Sequence, residues 1–429
     1  MKNKAFFSIC VLFTVMFLFA CTESGSITSG GGGSSSGSGN GGENGNPGQT
    51  GTYAALPNNK NAGAIQAMYD TWINTYYTTY EQDFAAGVFT VADERAPGTA
   101  RIKAAYSGSN DGSKTCSEAI GYGMILTALM GDWEKFNKLL AYSKLWHYSI
   151  GGNKTSLMRW SVISFVGAEN MGSATDADID ILAALIVAYR KTGTQSYLND
   201  ALAIGASIYE YEIDASSRLV LPATNAELLG NGTIFNISYM SLPALKMLVD
   251  YDKNRDWATV LESNLSYMES VQNNGDGLWP DWSGANGTPV NPNNGSSDAL
   301  AGGIRSHEAY YKEGPRIPWR IAWYYHWYGD PRAKAMLDKG MAFLRGKGVS
   351  TYQDVKTFYS YTGGLQGATA TSPMAWASLC ALGTGNSANQ DWLNSCNERM
   401  TGFYNFALSN YYASSLQLIY AMLFNGRFD

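Results

Sequence analysis

Carboxylates are the groups with which this sequence could do chemistry. Only three histidines, His147, His307 and His326, stand in 429 residues, and no HExxH zinc string, phosphate loop or dinucleotide fingerprint occurs. Two acidic strings stand out instead. In Ser117-Glu118-Ala119-Ile120-Gly121-Tyr122-Gly123-Met124 the Glu opens a helix among the apolar neighbours Cys116, Ile120 and Met124. Burial there would raise its pKa and keep it protonated near neutrality, as a general acid requires. A Glu that serves only the helix macrodipole is the plainer alternative. Gly121 and Gly123 weaken a helix and so imply that another backbone comes close.

The second string is Ala174-Thr175-Asp176-Ala177-Asp178-Ile179-Asp180-Ile181. On a helix Asp176 and Asp180 share a face, with Asp178 roughly opposite. A calcium loop would want Gly and Glu where Ile181 and Val187 stand, so a metal site is not expected. Thr175 or Asp176 could cap the helix, yet three carboxylates in one turn exceed what a cap needs. A third stretch joins Gly277-Leu278-Trp279-Pro280-Asp281-Trp282 to the run from Tyr310 to Arg320. Rings on Gly- and Pro-punctuated loops beside Arg and Asp offer flat faces to sugars and bonds to their hydroxyls, although core packing is the default for any single Trp.

The chain is long and apolar enough (45% hydrophobic, 15% charged) to build a large core, which excludes a disordered protein. Its net charge of −6, with no basic cluster after the first few residues, leaves no footprint for nucleic acid. Apolar residues at helical spacing predict twelve helices near 61–80, 116–131, 132–146, 176–191, 196–211, 238–251, 255–272, 317–329, 331–346, 372–383, 389–407 and 411–424. Short turns within pairs and long aromatic loops between them fit an all-α (α/α)6 barrel of six helix pairs with its cleft on the long-loop side. A helical repeat array fits the periodicity nearly as well.

The N-terminus reads differently. Lys2 and Lys4 precede an apolar run from Ala5 to Ala20 that ends in Leu18-Phe19-Ala20-Cys21, a string similar to a bacterial lipobox. Residues 1–20 then form a lipoprotein signal peptide, and lipidated Cys21 begins a Gly- and Ser-rich tether (21–52) that cannot offset its ordering entropy by burial. Residues 53–429 form one catalytic domain. An ordinary secretory signal or a single-span anchor are the alternatives. The expected protein is a monomeric outer-membrane lipoprotein of the bacterial cell envelope, periplasmic or surface-exposed, touching lipid only through its anchor. Of the cysteines left, Cys116, Cys380 and Cys396, an odd number argues against a disulfide framework. A Cys380–Cys396 bridge is open, but buried free thiols are the expectation.

Together these strings resemble glycoside hydrolase family 8, inverting (α/α)6-barrel enzymes that include endoglucanases, xylanases, exo-oligoxylanases and chitosanases. The family string A-[ST]-D-[AG]-D-x-x-[IM]-A is met from Ala174 to Ile181 and departs at Leu182, and S-E-[AG]-x-G-Y-G-M is met from Ser117 to Met124. Weaker echoes lie at Asn236-Ile237-Ser238-Tyr239, Gly277 to Trp282 and Tyr411 to Leu416, so the resemblance spans about residue 60 to the end. It implies that Glu118 is the general acid and that Asp176 contacts the distorted sugar and helps hold the attacking water. It also implies that Glu313, standing where Y-D-A-x-R-x-P-W-R has its Asp, is the base. Glu308, in a nearby loop, is a second candidate. Inversion requires acid and base about 6.5–9.5 Å apart, with Arg316 and Lys312 keeping Glu313 ionised. The sugar-contacting set is Tyr122, Trp160, Tyr239, Trp279, Trp282, Tyr311 and Arg316, the substrate a β-1,4-linked poly- or oligosaccharide (glucan, xylan or chitosan), and no metal or organic cofactor is required. A tethered glycan-binding protein with lost catalysis is the other reading, and a polysaccharide lyase a third.

Overall fold

A computed structural model describes residues 51–90, 94–104, 112–169, 172–224, 233–292 and 299–429. The signal peptide, Cys21 and nearly all of the tether lie outside the described residues. Thirteen α-helices occur among those described: α1 (Ala62–Tyr76), α2 (Tyr80–Ala85), α3 (Ser117–Met130), α4 (Trp133–Leu145), α5 (Thr175–Thr192), α6 (Gln195–Tyr211), α7 (Leu242–Tyr251), α8 (Trp257–Asn274), α9 (Ile317–Tyr328), α10 (Pro331–Gly346), α11 (Pro373–Cys380), α12 (Gln390–Gly402) and α13 (Tyr411–Phe424).

Apart from the short α2, they sort into two rings by what their faces bury. In α3, α5 and α13 nearly every residue is buried, so these helices are enclosed by protein on all faces and stand in the inner ring. On α4, by contrast, Phe136, Leu139, Leu140 and Ser143 make one buried stripe and the opposite face is wet. The inner helices touch in the closed order α3, α5, α7, α9, α11, α13 and back to α3, while α4, α6, α8, α10, α12 and α1 pack outside. That closure makes the fold an (α/α)6 barrel and removes the repeat-array alternative. Its tightest inner seam is α3 against α5, where a Cβ on Gly121 would lie 3.1 Å from Asp180 Cβ and 3.3 Å from the Ala177 carbonyl oxygen. The glycine is required by the close approach that its presence implies.

Short antiparallel ladders at one end of the barrel were invisible to the sequence pattern, because strands of two to six residues barely develop a period of two. β1 (Tyr77–Thr79) pairs with β2 (Ala100–Ile102), and β3 (Lys114–Cys116) pairs with β6 (Ser161–Ile163), which also pairs with β7 (Gly167–Ala168). β4 (His147–Ile150) and β5 (Asn153–Met158) form a hairpin. β8 (Ile234–Asn236) pairs with β9 (Trp282–Gly284), and β10 (Ala309–Tyr310) with β11 (Tyr359–Ser360). Each leads into or stabilises a loop at the N-terminal end of an inner helix.

The cysteine expectation needs correction. Cys116 is a buried free thiol, but Cys380 and Cys396 form a disulfide, with Cα atoms 6.0 Å apart. Cys380 ends α11 and Cys396 lies in the middle of α12, and these two helices pack side by side. An odd count in the sequence carries no information about that proximity.

Candidate active site

The N-termini of four inner helices converge on one guanidinium. Glu118 is the second residue of α3, Asp176 the second of α5, Arg316 directly precedes α9, and Tyr411 and Tyr412 begin α13. Four positive helix ends thus face a patch of carboxylates, which they favour electrostatically. Arg316 Nη1 donates to Glu118 Oε2 at 2.7 Å and to Asp176 Oδ2 at 2.5 Å, and Nη2 pairs with Glu313 Oε2. The guanidinium itself lies over Tyr239 and Tyr412, 4.9 and 5.8 Å from their ring centroids. Arg316 is therefore the hub that positions the other groups, a stronger role than the sugar contact expected of it.

Exposure separates the carboxylates. The Glu118 side chain keeps 20% of its surface exposed and Glu313 23%, against 4% for Asp176 and 2% for Arg316. Glu118 and Glu313 are the most open of the three, on either side of a buried cation, and Asp176 keeps only a small part of its surface for a ligand.

Burial pushes the Glu118 carboxyl up to about 7, assisted by the Asp176 charge and opposed by Arg316 and by the Tyr411 hydroxyl, which donates to Oε1. The direction is the one its apolar neighbours imply. The Tyr411 hydroxyl also lies 3.3 Å from Cys116 Sγ. Glu313 takes a second bond from Asn236 Nδ2 at 3.0 Å. Its loop is clamped by Asp281, whose carboxylate accepts the backbone N–H groups of Tyr311, Lys312 and Gly314 at 2.8–2.9 Å. Burial pushes that carboxyl up to about 7 in spite of the three donors. Glu308, on the 3-10 turn Ser306–Glu308, is half-buried and makes no side-chain bond or ion pair among the described residues.

The three aspartates of α5 divide as the helical spacing requires. Asp176 and Asp180 meet Arg316 and Arg320, which flank the start of α9, Asp180 at 2.7 Å. Asp178 faces away, accepts the Met158 N–H at 2.8 Å and has its second oxygen unpartnered. Beside it lies Glu212, fully buried and bonded by the Ser173 hydroxyl at 2.5 Å, also with one oxygen unpartnered. Burial, with the neighbouring carboxylate second, lifts Asp178 well above the usual range, and burial pushes Glu212 up to about 8. Capping accounts for none of the three aspartates: Ala174 is the N-cap of α5, and no side chain caps it.

The aromatic expectations separate. Tyr239 and Trp282 are half-buried with ring centroids 6.3 Å apart, and the β8–β9 ladder places them beside Arg316. Trp160 is half-buried, and its carbonyl accepts the Ser117 N–H at 2.9 Å, next to the acid. Tyr311 is half-buried in the clamped loop, 6.4 Å from the Phe358 ring. Tyr122 is fully buried behind Tyr412, close enough for its hydroxyl to feel Glu118 and Arg316, so it supports the site without offering an open face. Trp279 is misplaced by the sequence reading: it is fully buried in the core, its indole N–H bonded to the Met268 carbonyl at 2.9 Å, which leaves no face for a sugar. Residues that spacing did not flag as site members are Asn236, Asp281, Glu212, Tyr411 and Tyr412. All but Glu212 stood inside the weaker motif echoes. Among the described residues no group of three or more His, Cys, Asp or Glu side chains is arranged to hold a metal ion.

Comparison with known proteins bears on this geometry. The family profile Glycosyl hydrolases family 8 matches residues 98–427. Endoglucanase 2 of Ruminiclostridium josui is 28% identical over 323 residues, 73% of this chain and 64% of that protein. Beta-glucanase of Niallia circulans is 28% identical over 85% of this chain and 84% of its own length. Among solved structures, the apo beta-1,3-1,4-glucanase from Paenibacillus sp. X4 superposes with a TM-score of 0.73 at 26% identity, covering 88% of this chain and 96% of that one.

Proposed function

The chain belongs to glycosyl hydrolases family 8, and on that premise we propose that it hydrolyses a β-1,4-linked glucan or xylan with inversion, by general acid and base catalysis. Glu118 gives its proton to the glycosidic oxygen as the C–O bond breaks. Glu313 takes a proton from the water that attacks the anomeric carbon from the opposite face. Asp176, fixed by Arg316, contacts the sugar at the cleavage point and helps orient that water. The observation that carries the reading is the pair of cleft-exposed carboxylates on either side of buried Arg316, one of them raised to about 7. A carboxyl that titrates there is still half protonated at neutral pH and can act as an acid. Glu313 is preferred to Glu308 as base because it alone of the two is bonded into this cluster. The printed activities of the relatives, endoglucanase and beta-glucanase, support the substrate class.

The test is incubation with mixed-linkage glucan, carboxymethyl glucan, xylan and chitosan while new reducing ends are counted. At least one polymer should be cut, and Glu118→Gln should lower that rate by about 10²–10⁴-fold. Binding without any product would instead favour a glycan-binding protein, and a Glu118→Gln variant that keeps more than a few per cent of the rate would remove Glu118 from the acid role.

We propose further that residues 1–20 are a signal peptide, that lipidated Cys21 and residues 22–52 tether a monomeric catalytic domain (53–429), and that the protein sits in the bacterial cell envelope. Lys2, Lys4 and the Leu18–Cys21 string support this, as does where the chain reaches the barrel. Gly51 and Tyr53 bond the carbonyls of Trp327 and His326 at the C-terminal end of α9, whereas Arg316 marks its other end. The 12 residues of α9 span roughly 18 Å, so a tether arriving there would leave the cleft facing away from the anchoring surface. Cys21→Ser should release the protein from the membrane fraction, and gel filtration of the soluble domain should give one barrel.

A further inference from the structure

Behind the cleft lies a pair of acids that the proposed chemistry does not use. Asp178, in the first turn of α5, and Glu212, which directly follows α6, are both buried. Each commits one oxygen: Asp178 Oδ1 accepts the Met158 N–H at 2.8 Å, and Glu212 Oε1 accepts the Ser173 hydroxyl at 2.5 Å. Asp178 Oδ2 and Glu212 Oε2 are left without a hydrogen-bond partner. An unsatisfied buried oxygen is costly, and a charged one more so.

No cation relieves them. Glu212 is the charge that Asp178 feels most, Asp176 acts on both, and among the described residues no Lys, Arg or His contributes to either. Arg159, next to Met158, holds its guanidinium over the Tyr148 ring, 5.1 Å from the centroid. The Thr175 hydroxyl stands beside Glu212 without closing a bond to it. Two carboxyls buried together with a third on the same helix cannot all be ionised at neutral pH, so at least one proton stays. Burial accordingly lifts both, Glu212 to about 8.

What the pair grips is the backbone that carries the acid. Arg159 and Ser173 form an antiparallel bridge, and the Trp160 N–H donates to the Gly172 carbonyl at 3.1 Å, so the two segments make a short ladder. Asp178 holds the first segment through Met158, and Glu212 holds the second through Ser173. From the first, the Trp160 carbonyl accepts the Ser117 N–H at 2.9 Å, directly before Glu118. The second leads straight into α5 and Asp176.

We propose that Asp178 and Glu212 share a proton between their two unpartnered oxygens, and that this pair is a positioning element which locks the ladder beneath Trp160, Glu118 and Asp176. Neither acid touches the sugar. The inference rests on the hydrolase reading for what the positioned groups do. The shared proton closes a circuit of bonds from one ladder segment through both acids to the other. Its loss leaves two buried negative charges that repel across that link. The folded pair holds the proton far more tightly than the unfolded chain, whose carboxyls titrate near about 4. The lock is therefore closed at acid and neutral pH and opens as pH rises through about 8.

Amide hydrogen exchange on the substrate-free protein reads the lock without catalysis. Corrected for intrinsic rates, protection of the Ser117 and Trp160 N–H groups should hold between pH 6 and 7 and fall by about tenfold per unit above about 8. In Glu212→Gln an amide N–H replaces the shared proton at every pH, and protection should stay level. Activity on a soluble β-glucan at pH 6 supplies a second signature. Asp178→Asn or Glu212→Gln alone keeps a donor between the pair and should retain kcat/KM within about threefold. The double variant sets two amide N–H groups against each other, because the carbonyl oxygens stay with Met158 and Ser173, and should lose at least about tenfold more than the product of the single losses. The comparison of wild type with Glu212→Gln stands even if the double variant does not fold. Wild-type protection that is level to pH 9, or that falls alike in Glu212→Gln, overturns the lock. So does a folded double variant no worse than the product of the singles. The expected exchange pattern without cleavage of any glycan sinks the hydrolase reading and spares the pair, whereas cleavage that the double variant leaves intact spares the hydrolase and sinks the pair.

Discussion

Replacing Tyr411 by Phe should extend activity to higher pH. The Tyr411 hydroxyl donates to Glu118 Oε1, a bond that helps the ionised carboxylate and so holds its pKa down. Burial nevertheless places that pKa at about 7, and the acid works only when protonated, so kcat/KM should fall tenfold per pH unit above about 7. A hydrogen bond to a charged group contributes about 1.5–3 kcal/mol, and each pKa unit corresponds to about 1.36 kcal/mol. Full loss of the bond would therefore raise the pKa by about one to two units. Because 20% of the Glu118 side chain is exposed, water replaces part of the lost donor, and the lower end applies. The alkaline limb of kcat/KM on a soluble β-glucan, recorded from pH 5 to 10, should move up by about one unit with the maximal rate retained in part. A limb that stays in place, or moves down, would show that Tyr411 does not control the proton on Glu118.

Other consequences of the structure can be checked as directly. Glu212 is fully buried with its pKa pushed up to about 8, so the folded protein holds a proton there that the unfolded chain has lost above about 4.5. The stability this proton supports is present at low pH and is lost as pH rises towards 8, at about 1.4 kcal/mol per pH unit. Glu212→Gln, which needs no proton, should gain on the wild type in urea unfolding as pH goes from 5 to 8; a difference between the two that stays constant with pH would contradict the assignment. The Cys380–Cys396 bridge closes a loop of sequence separation 16, for which chain entropy gives about 3 kcal/mol. Reduction, or the Cys380→Ala/Cys396→Ala double variant, should destabilise the fold by that order in urea without moving the pH profile. Asp281→Asn should weaken the clamp on residues 311–314 and lower kcat more than it raises KM, because it displaces Glu313 and not a sugar contact; an effect on KM alone would place Asp281 elsewhere in the account.

Helix positions were legible because each amphipathic or fully apolar segment carries its own period, and α9, α10 and α13 begin and end within a residue of where that period places them. The helical placement of Glu118 and of the three aspartates was legible for a related reason: both strings are local, and a helix fixes which carboxylates share a face. What could not be read was anything created by distance in sequence. Arg316 meets Glu118 across 198 positions and Asp176 across 140, so its role as hub appears only once α3, α5 and α9 stand side by side. Glu212 gave no local signal, since its significance lies in Asp178 on a different helix. Trp279 misled because a Trp in a Gly- and Pro-punctuated stretch reads as a loop platform, while its indole in fact bonds α8 from within the core.

Azide rescue tests most directly whether Glu118 and Glu313 act as a pair across the sugar. In Glu313→Ala a small anion can take the place of the activated water, and the intact acid at Glu118 still protonates the departing oxygen. Cleavage of a β-linked substrate should then be restored by azide and yield the α-glycosyl azide, whereas Glu308→Ala should need no rescue. Restoration in Glu308→Ala alone, or a β-glycosyl azide from Glu313→Ala, would contradict the assignment of Glu313 as the base.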